Sequence, residues 1–202
     1  MASVVTLSAG TVSDNVPGET RDTFEIGTQY FPDADCSPVT GSDNVTAFWM
    51  VSGTGAEVEV DTETGHVKVE RLVSVVDVGK PINPQLVDAQ ISGAALMQLG
   101  FTMFEEMHLD GGQVVNASLA DYKIPGFHDV PDTMEILTVD TVQSNGPFGA
   151  KGVGEVATFG VSPAIANAID DAVGVRITEM PLTAEAVFRA LRAKQGLPLK
   201  DE

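Results

Sequence analysis

Residues 146 to 159 read Gly-Pro-Phe-Gly-Ala-Lys-Gly-Val-Gly-Glu-Val-Ala-Thr-Phe. Gly146, Gly149, Gly152 and Gly154 surround one cation, Lys151, and lead to one carboxylate, Glu155. Glycine accepts positive φ and lets backbone press against a neighbour where a Cβ would intrude. Such a loop can aim backbone N–H groups at an anion or a polar cofactor, and it can hold a carboxylate at the mouth of a helix. The same composition suits a plain surface turn, so spacing alone leaves both readings open. His66, His108 and His128 stand too far apart for a local metal motif and read as surface residues.

The elements that must position this loop follow from the apolar pattern. Val58 and Val60 alternate with Glu57 and Glu59 as a half-buried strand, Asp61 to Gly65 supplies a turn, and Val67 to Val78 gives a second strand. Asn83 as N-cap and Pro84 as first helical residue open a helix. Leu86, Ile91, Ala94, Ala95, Met97 and Leu99 carry its apolar surface, and the glycines inside it, Gly93 and Gly100, imply close packing there against another backbone or a ligand. Asp110-Gly-Gly112 makes a turn, Gln113 to Ser118 a strand, and Met134 to Val142 a further strand running into the glycine loop. Ala164 to Val173 is an amphipathic helix with Ile165, Ala168, Ile169, Ala172 and Val173 on one face. Val175 to Thr178 reads as a short strand, and Thr183 caps a last helix with Val187, Phe188 and Leu191 inward. The class is α+β, hairpins and a mixed sheet with packed helices, with no βαβ alternation of the doubly wound kind. Residues 1–45 read as an extended, loop-rich leader, 46–193 as the folded domain and 194–202 as a polar tail.

Composition narrows the function. The chain has 202 residues, 43% hydrophobic and 20% charged, an ordinary globular mix. Twenty-nine acidic against 11 basic residues, net −18, oppose binding to nucleic acid or an anionic membrane. No run reaches the roughly 18 apolar residues a membrane span needs. One cysteine, Cys36, offers neither an internal disulfide nor a metal cluster, and the first residues lack a signal peptide's pattern, so a reduced cytoplasmic protein is expected. The Asn-x-Ser/Thr sites at Asn44 and Asn116 carry little weight in such a chain.

Four ordered blocks add a more specific signal. They are Ala56-Glu-Val-Glu-Val-Asp-Thr-Glu-Thr-Gly65; Asp77-Val-Gly-Lys-Pro-Ile-Asn-Pro84 with Gln90-Ile-Ser-Gly93; Asp121-Tyr-Lys-Ile-Pro125; and Lys151-Gly-Val-Gly-Glu155 with the helix after it. Together they resemble the C-terminal, molybdopterin-binding part of the molybdenum subunit of the xanthine dehydrogenase/aldehyde oxidase family, from about Gly27 to about Leu191. The resemblance implies a hydroxylase that oxidises a carbon centre with water-derived oxygen. Its molybdenum is held by molybdopterin, plain or as the cytosine dinucleotide, with no protein side chain as metal ligand. It implies Glu155 as the catalytic base, a role a carboxylate fills within hydrogen-bond reach. Gln90, Lys151, Gly152, Val153 and Gly154 are the implied cofactor-binding residues.

Alternatives stay open at two of these positions. Gln90 suits a pterin's donor and acceptor edge or a nearby backbone group, and Lys151 suits catalysis or an ion pair holding the loop. Val156, where many relatives have a small residue or proline, is expected to line the substrate side. The Tyr122–Lys123 block reads as structural.

The family's molybdenum subunit is several times longer than this chain, and its upstream cofactor loops have no match here. The resemblance therefore implies a fragment, or a small subunit completed by a larger molybdenum-binding chain. An iron–sulfur subunit with [2Fe-2S] and an FAD subunit are implied as further partners, and a small molecule as substrate. A scaffold that kept the fold and lost the cofactor is the alternative.

Overall fold

The computed structural model describes residues 50–144 and 146–197. The expected leader at 1–45, Cys36 and the site at Asn44 lie outside them.

Strand β1 (Ser52–Val60) and strand β2 (Val67–Asp77) form the expected antiparallel hairpin. Asp61 builds its turn, accepting from Glu63 N (2.9 Å) and Thr64 Oγ1 (2.6 Å), and Gly65 takes φ 76°. The ladder slips once: Glu57 faces Arg71 while Val58 faces Val69, so Glu70 is an extra residue on β2. This bulge resets the alternation. Before it Val67 and Val69 point inward; after it Leu72, Ser74 and Val76 do.

Helix α1 (Pro84–Met103) starts where the sequence expects, with Asn83 Oδ1 accepting from Leu86 N at 3.1 Å. After it come the small hairpin of β3 (Leu109–Asp110) and β4 (Gln113–Val114) and then strand β5 (Thr133–Val139). β5 returns to pair with β2 in parallel, from Arg71↔Thr133 to Asp77↔Val139, and the sheet order is β1-β2-β5. β2, α1 and β5 thus form one βαβ unit, a single crossover and not the alternation of a doubly wound sheet. The long stretch at 104–132 hides it, carrying no sheet element but the small hairpin. The strand expected at 113–118 is therefore cut to two residues. Asn116 turns inward instead, accepting from His108 N (2.9 Å) and donating to Glu106 O (2.7 Å). β5 also stops before 142, since Thr141 leaves the ladder for a side-chain partner described below.

Helix α2 (Val161–Val173) begins three residues earlier than expected and buries Val161, Ile165 and Ile169; Ala172 is exposed. Gly174, at φ 64°, closes it. Residues 175–178 form no strand: Val175 is buried without a ladder partner, and Arg176 pairs with Asp170 at 2.5 Å. Thr183 caps helix α3 (Ala184–Lys194), whose buried residues are Val187 and Leu191.

Two cores result. The larger packs Leu72 of β2 against Leu99 of α1, Ile165 and Ile169 of α2, and Val187 of α3. The smaller gathers Val76, Val78, Ile91, Ala94, Val156 and Ala157 beneath the glycine loop. α1 differs from expectation on its outer face. Leu86 and Met97 are 65% and 48% exposed, and a Cβ at Gly93 would meet nothing within 4 Å. Gly100 does pack closely: a Cβ there would strike Glu105 Oε1 and come within 2.9 Å of Pro125. No helix among the described residues is long and apolar enough to cross a membrane.

Candidate functional site

The site forms where β2 ends. Asp77 is its last residue and is 8% exposed. Its Oδ1 accepts from Gly79 N at 3.0 Å, and its Oδ2 accepts from Thr141 Oγ1 at 2.7 Å and Lys151 Nζ at 2.6 Å. Lys151 Nζ also donates to Thr141 Oγ1 at 2.8 Å. Burial pushes the Asp77 carboxyl up, but Lys151, Thr141 and the Gly79 amide outweigh it and bring the pKa down to about 2. The ammonium of Lys151 is thus engaged inside the fold, as in the ion-pair reading of that residue.

Backbone bonds hold the glycine loop against the same strand end. Lys151 N donates to Val78 O (2.9 Å) and Lys80 N to Gly149 O (2.8 Å). Gly79 has φ 56°, and a Cβ there would run into Gly149 O, so glycine is required at this crossing. At the loop's tip Phe148 takes a left-handed φ of 55° with its ring 84% exposed.

Beyond Lys151, Gly152 and Val153 are half-buried while Gly154 and Glu155 are exposed. Gln90 on α1 donates from Nε2 to Gly154 O at 2.8 Å, which joins two expected site residues 64 positions apart. Open space surrounds the Cβ position of Gly154. Glu155 begins a 3-10 turn, its carbonyl accepting from Thr158 N (3.0 Å) and Thr158 Oγ1 (2.8 Å). Val156 and Ala157 then plunge to 0% and 1% exposure, and Ser52 Oγ donates to Val156 O at 3.1 Å. The backbone at Glu155 is therefore anchored while its side chain faces outward. No group among the described residues bonds its carboxylate.

One expectation changes here. Val156 does not line a substrate pocket; it sits in the smaller core with Ile91 and Ala94, because the residue after Glu155 must anchor the turn. Gly93 meets no close neighbour among the described residues. His66, His108 and His128 are all exposed, as expected. Tyr122 acts as a strut, donating to Glu105 Oε2 at 2.6 Å. Sequence reasoning assigned no role to Asp77 or Thr141. The one available signal was a lone carboxylate ending the apolar run Val-Ser-Val-Val-Asp77.

A family model described as a molybdopterin cofactor-binding domain matches residues 6–131. The chain belongs to this family. The match includes Asp77 and Gln90, reaches into residues before 50, and ends before the glycine loop. Among relatives, the chain is 36% identical over 157 residues to a probable xanthine dehydrogenase component of Bacillus subtilis, covering 78% of this chain and 20% of that protein. It is 37% identical over 142 residues to the aldehyde oxidoreductase molybdenum-binding subunit of Escherichia coli, covering 69% and 19%. The solved aldehyde oxidoreductase from Desulfovibrio gigas superposes with a TM-score of 0.65 at 35% identity, covering 71% of this chain and 15% of that one. The α+β fold of this family is the fold described above, and the chain spans about a fifth of the length of the curated relatives it matches.

Proposed function

We propose that this chain supplies one wall of a molybdenum hydroxylase site that oxidises a carbon centre of a small molecule, such as an aldehyde or an N-heterocycle, with water-derived oxygen. The observation that carries this reading is the group formed by Gln90, Gly154 and Glu155: a glutamine fixing the carbonyl before an outward carboxylate that no described residue bonds. The residues suit molybdopterin. Gln90 keeps a second N–H and its Oε1 for a polar edge, and the Cβ positions of Gly93 and Gly154 face open space. Gln90 with the backbone of Gly152, Val153 and Gly154 would hold the cofactor, while Lys151 keeps the loop in place. The cofactor, plain or as the cytosine dinucleotide, supplies the two-electron acceptor when bound. Glu155 accepts the proton released as oxygen reaches the substrate carbon, a step worth about 10²–10⁴-fold in rate.

One wall does not enclose a cofactor, so a larger molybdenum-binding chain completes the site in this reading. The outer face of α1 supports it: Leu86, Met97 and Phe101 are 65%, 48% and 43% exposed along a helix that is apolar nearly all round. Chains carrying [2Fe-2S] and FAD would then take the electrons away. The test is Glu155→Gln in the assembled enzyme. Turnover should fall about a hundredfold or more with molybdenum and pterin content unchanged. Full turnover with normal cofactor content would favour a scaffold role instead.

A further inference from the structure

We infer that Asp77 is a positioning residue for Glu155, acting through Lys151; the inference rests on the reading of Glu155 given above and adds to it. Asp77 joins three segments that are distant in sequence. Its two oxygens take Gly79 N from the turn after β2, Thr141 Oγ1 from the stretch after β5, and Lys151 Nζ from the glycine loop. The Lys151 and Asp77 side chains are only 9% and 10% exposed, and their contact spans 74 positions. Lys151 is fixed at both ends, since its own N–H donates to Val78 O at 2.9 Å.

What this fixation achieves follows from the residues after it. Only Gly152, Val153 and Gly154 separate Lys151 from Glu155, and two glycines give that link wide conformational freedom. A carboxylate that must meet a reacting atom cannot keep such freedom. The link is accordingly pinned at Lys151 on one side, at the buried Val156 on the other, and at Gly154 O by Gln90 between them. A buried ion pair adds little to stability over apolar packing of equal volume. It does impose one geometry, and here that geometry is the starting point of the segment bearing Glu155.

Three substitutions in the assembled enzyme test this: Asp77→Asn, Lys151→Met and the two combined. Measured are kcat, KM and the hydrogen exchange of the 151–155 amides. Each single change should lower kcat about tenfold with KM within about twofold, and speed exchange at 151–155 about tenfold while α2 is unaffected. The double variant should lose no more than either single, because both break one link. Unchanged exchange at 151–155, or additive losses in the double variant, overturns the inference. Should Asp77→Asn fail to fold, Thr141→Val keeps the ion pair, removes one bond to Asp77, and should still lower kcat about threefold; no change there also overturns it. Exchange and additivity do not depend on Glu155 being the base, whereas full turnover in Glu155→Gln removes that role by itself.

Discussion

Burial raises the pKa of the Asp77 carboxyl, but its three donors lower it by more, and this ties the fold to pH. Its folded pKa of about 2 lies below the ordinary 3.8, so its contribution is complete above pH 3.8 and is lost as pH falls through 2. The shift corresponds to about 2 kcal/mol. Urea midpoints of the wild type and Asp77→Asn should therefore differ at neutral pH and converge between about pH 4 and 2; a constant gap would contradict this. Glycines at this scale divide by what surrounds them. Gly79→Ala forces a Cβ into Gly149 O at φ 56° and should cost about 2 kcal/mol or more. Gly93→Ala meets open space inside a helix and should stabilise the isolated chain by up to about 1 kcal/mol. If the cofactor or a larger chain lies over Gly93, the same change should impair loading, read as molybdenum content. The loop itself was legible in the sequence, because its glycines, Lys151 and Glu155 are adjacent. The partners Asp77 and Thr141 were not, since nothing in local spacing reports a contact across 74 positions.

Among the elements, local chemistry and long-range pairing parted in the same way. The hairpin turn and the start of α1 were readable because Asp61, Gly65, Asn83 and Pro84 act on their own neighbours. The parallel pairing of β5 with β2 was not, because an apolar strand reads alike beside either kind of partner. The bulge at Glu70 was equally hidden. It keeps both halves of β2 facing inward, Val67 and Val69 on one phase and Leu72, Ser74 and Val76 on the other. Deleting Glu70 should turn one of these sets outward. The expected result is loss of cooperative unfolding by circular dichroism; a retained sharp transition would show that the bulge is dispensable.

For the whole molecule, the exposed face of α1 decides how the chain behaves alone. Leu86, Met97 and Phe101 leave an apolar stripe on the same helix as Gln90, and such stripes drive association. Leu86→Gln combined with Phe101→Ser should reduce self-association of the isolated chain in sedimentation. The same pair should weaken co-purification with a larger molybdenum-binding chain. Unaltered co-purification would place that partner elsewhere.

Asn116 carries a consequence for how the protein can be produced. It opens the tripeptide Asn-Ala-Ser, yet its side-chain nitrogen donates to Glu106 O at 2.7 Å and the residue is only 7% exposed. A sugar attached there before folding would occupy the atom that closes residues 106–116. Expression through a glycosylating secretory host should thus yield chain whose folded fraction carries no glycan at Asn116, and whose glycosylated fraction cannot form this closure.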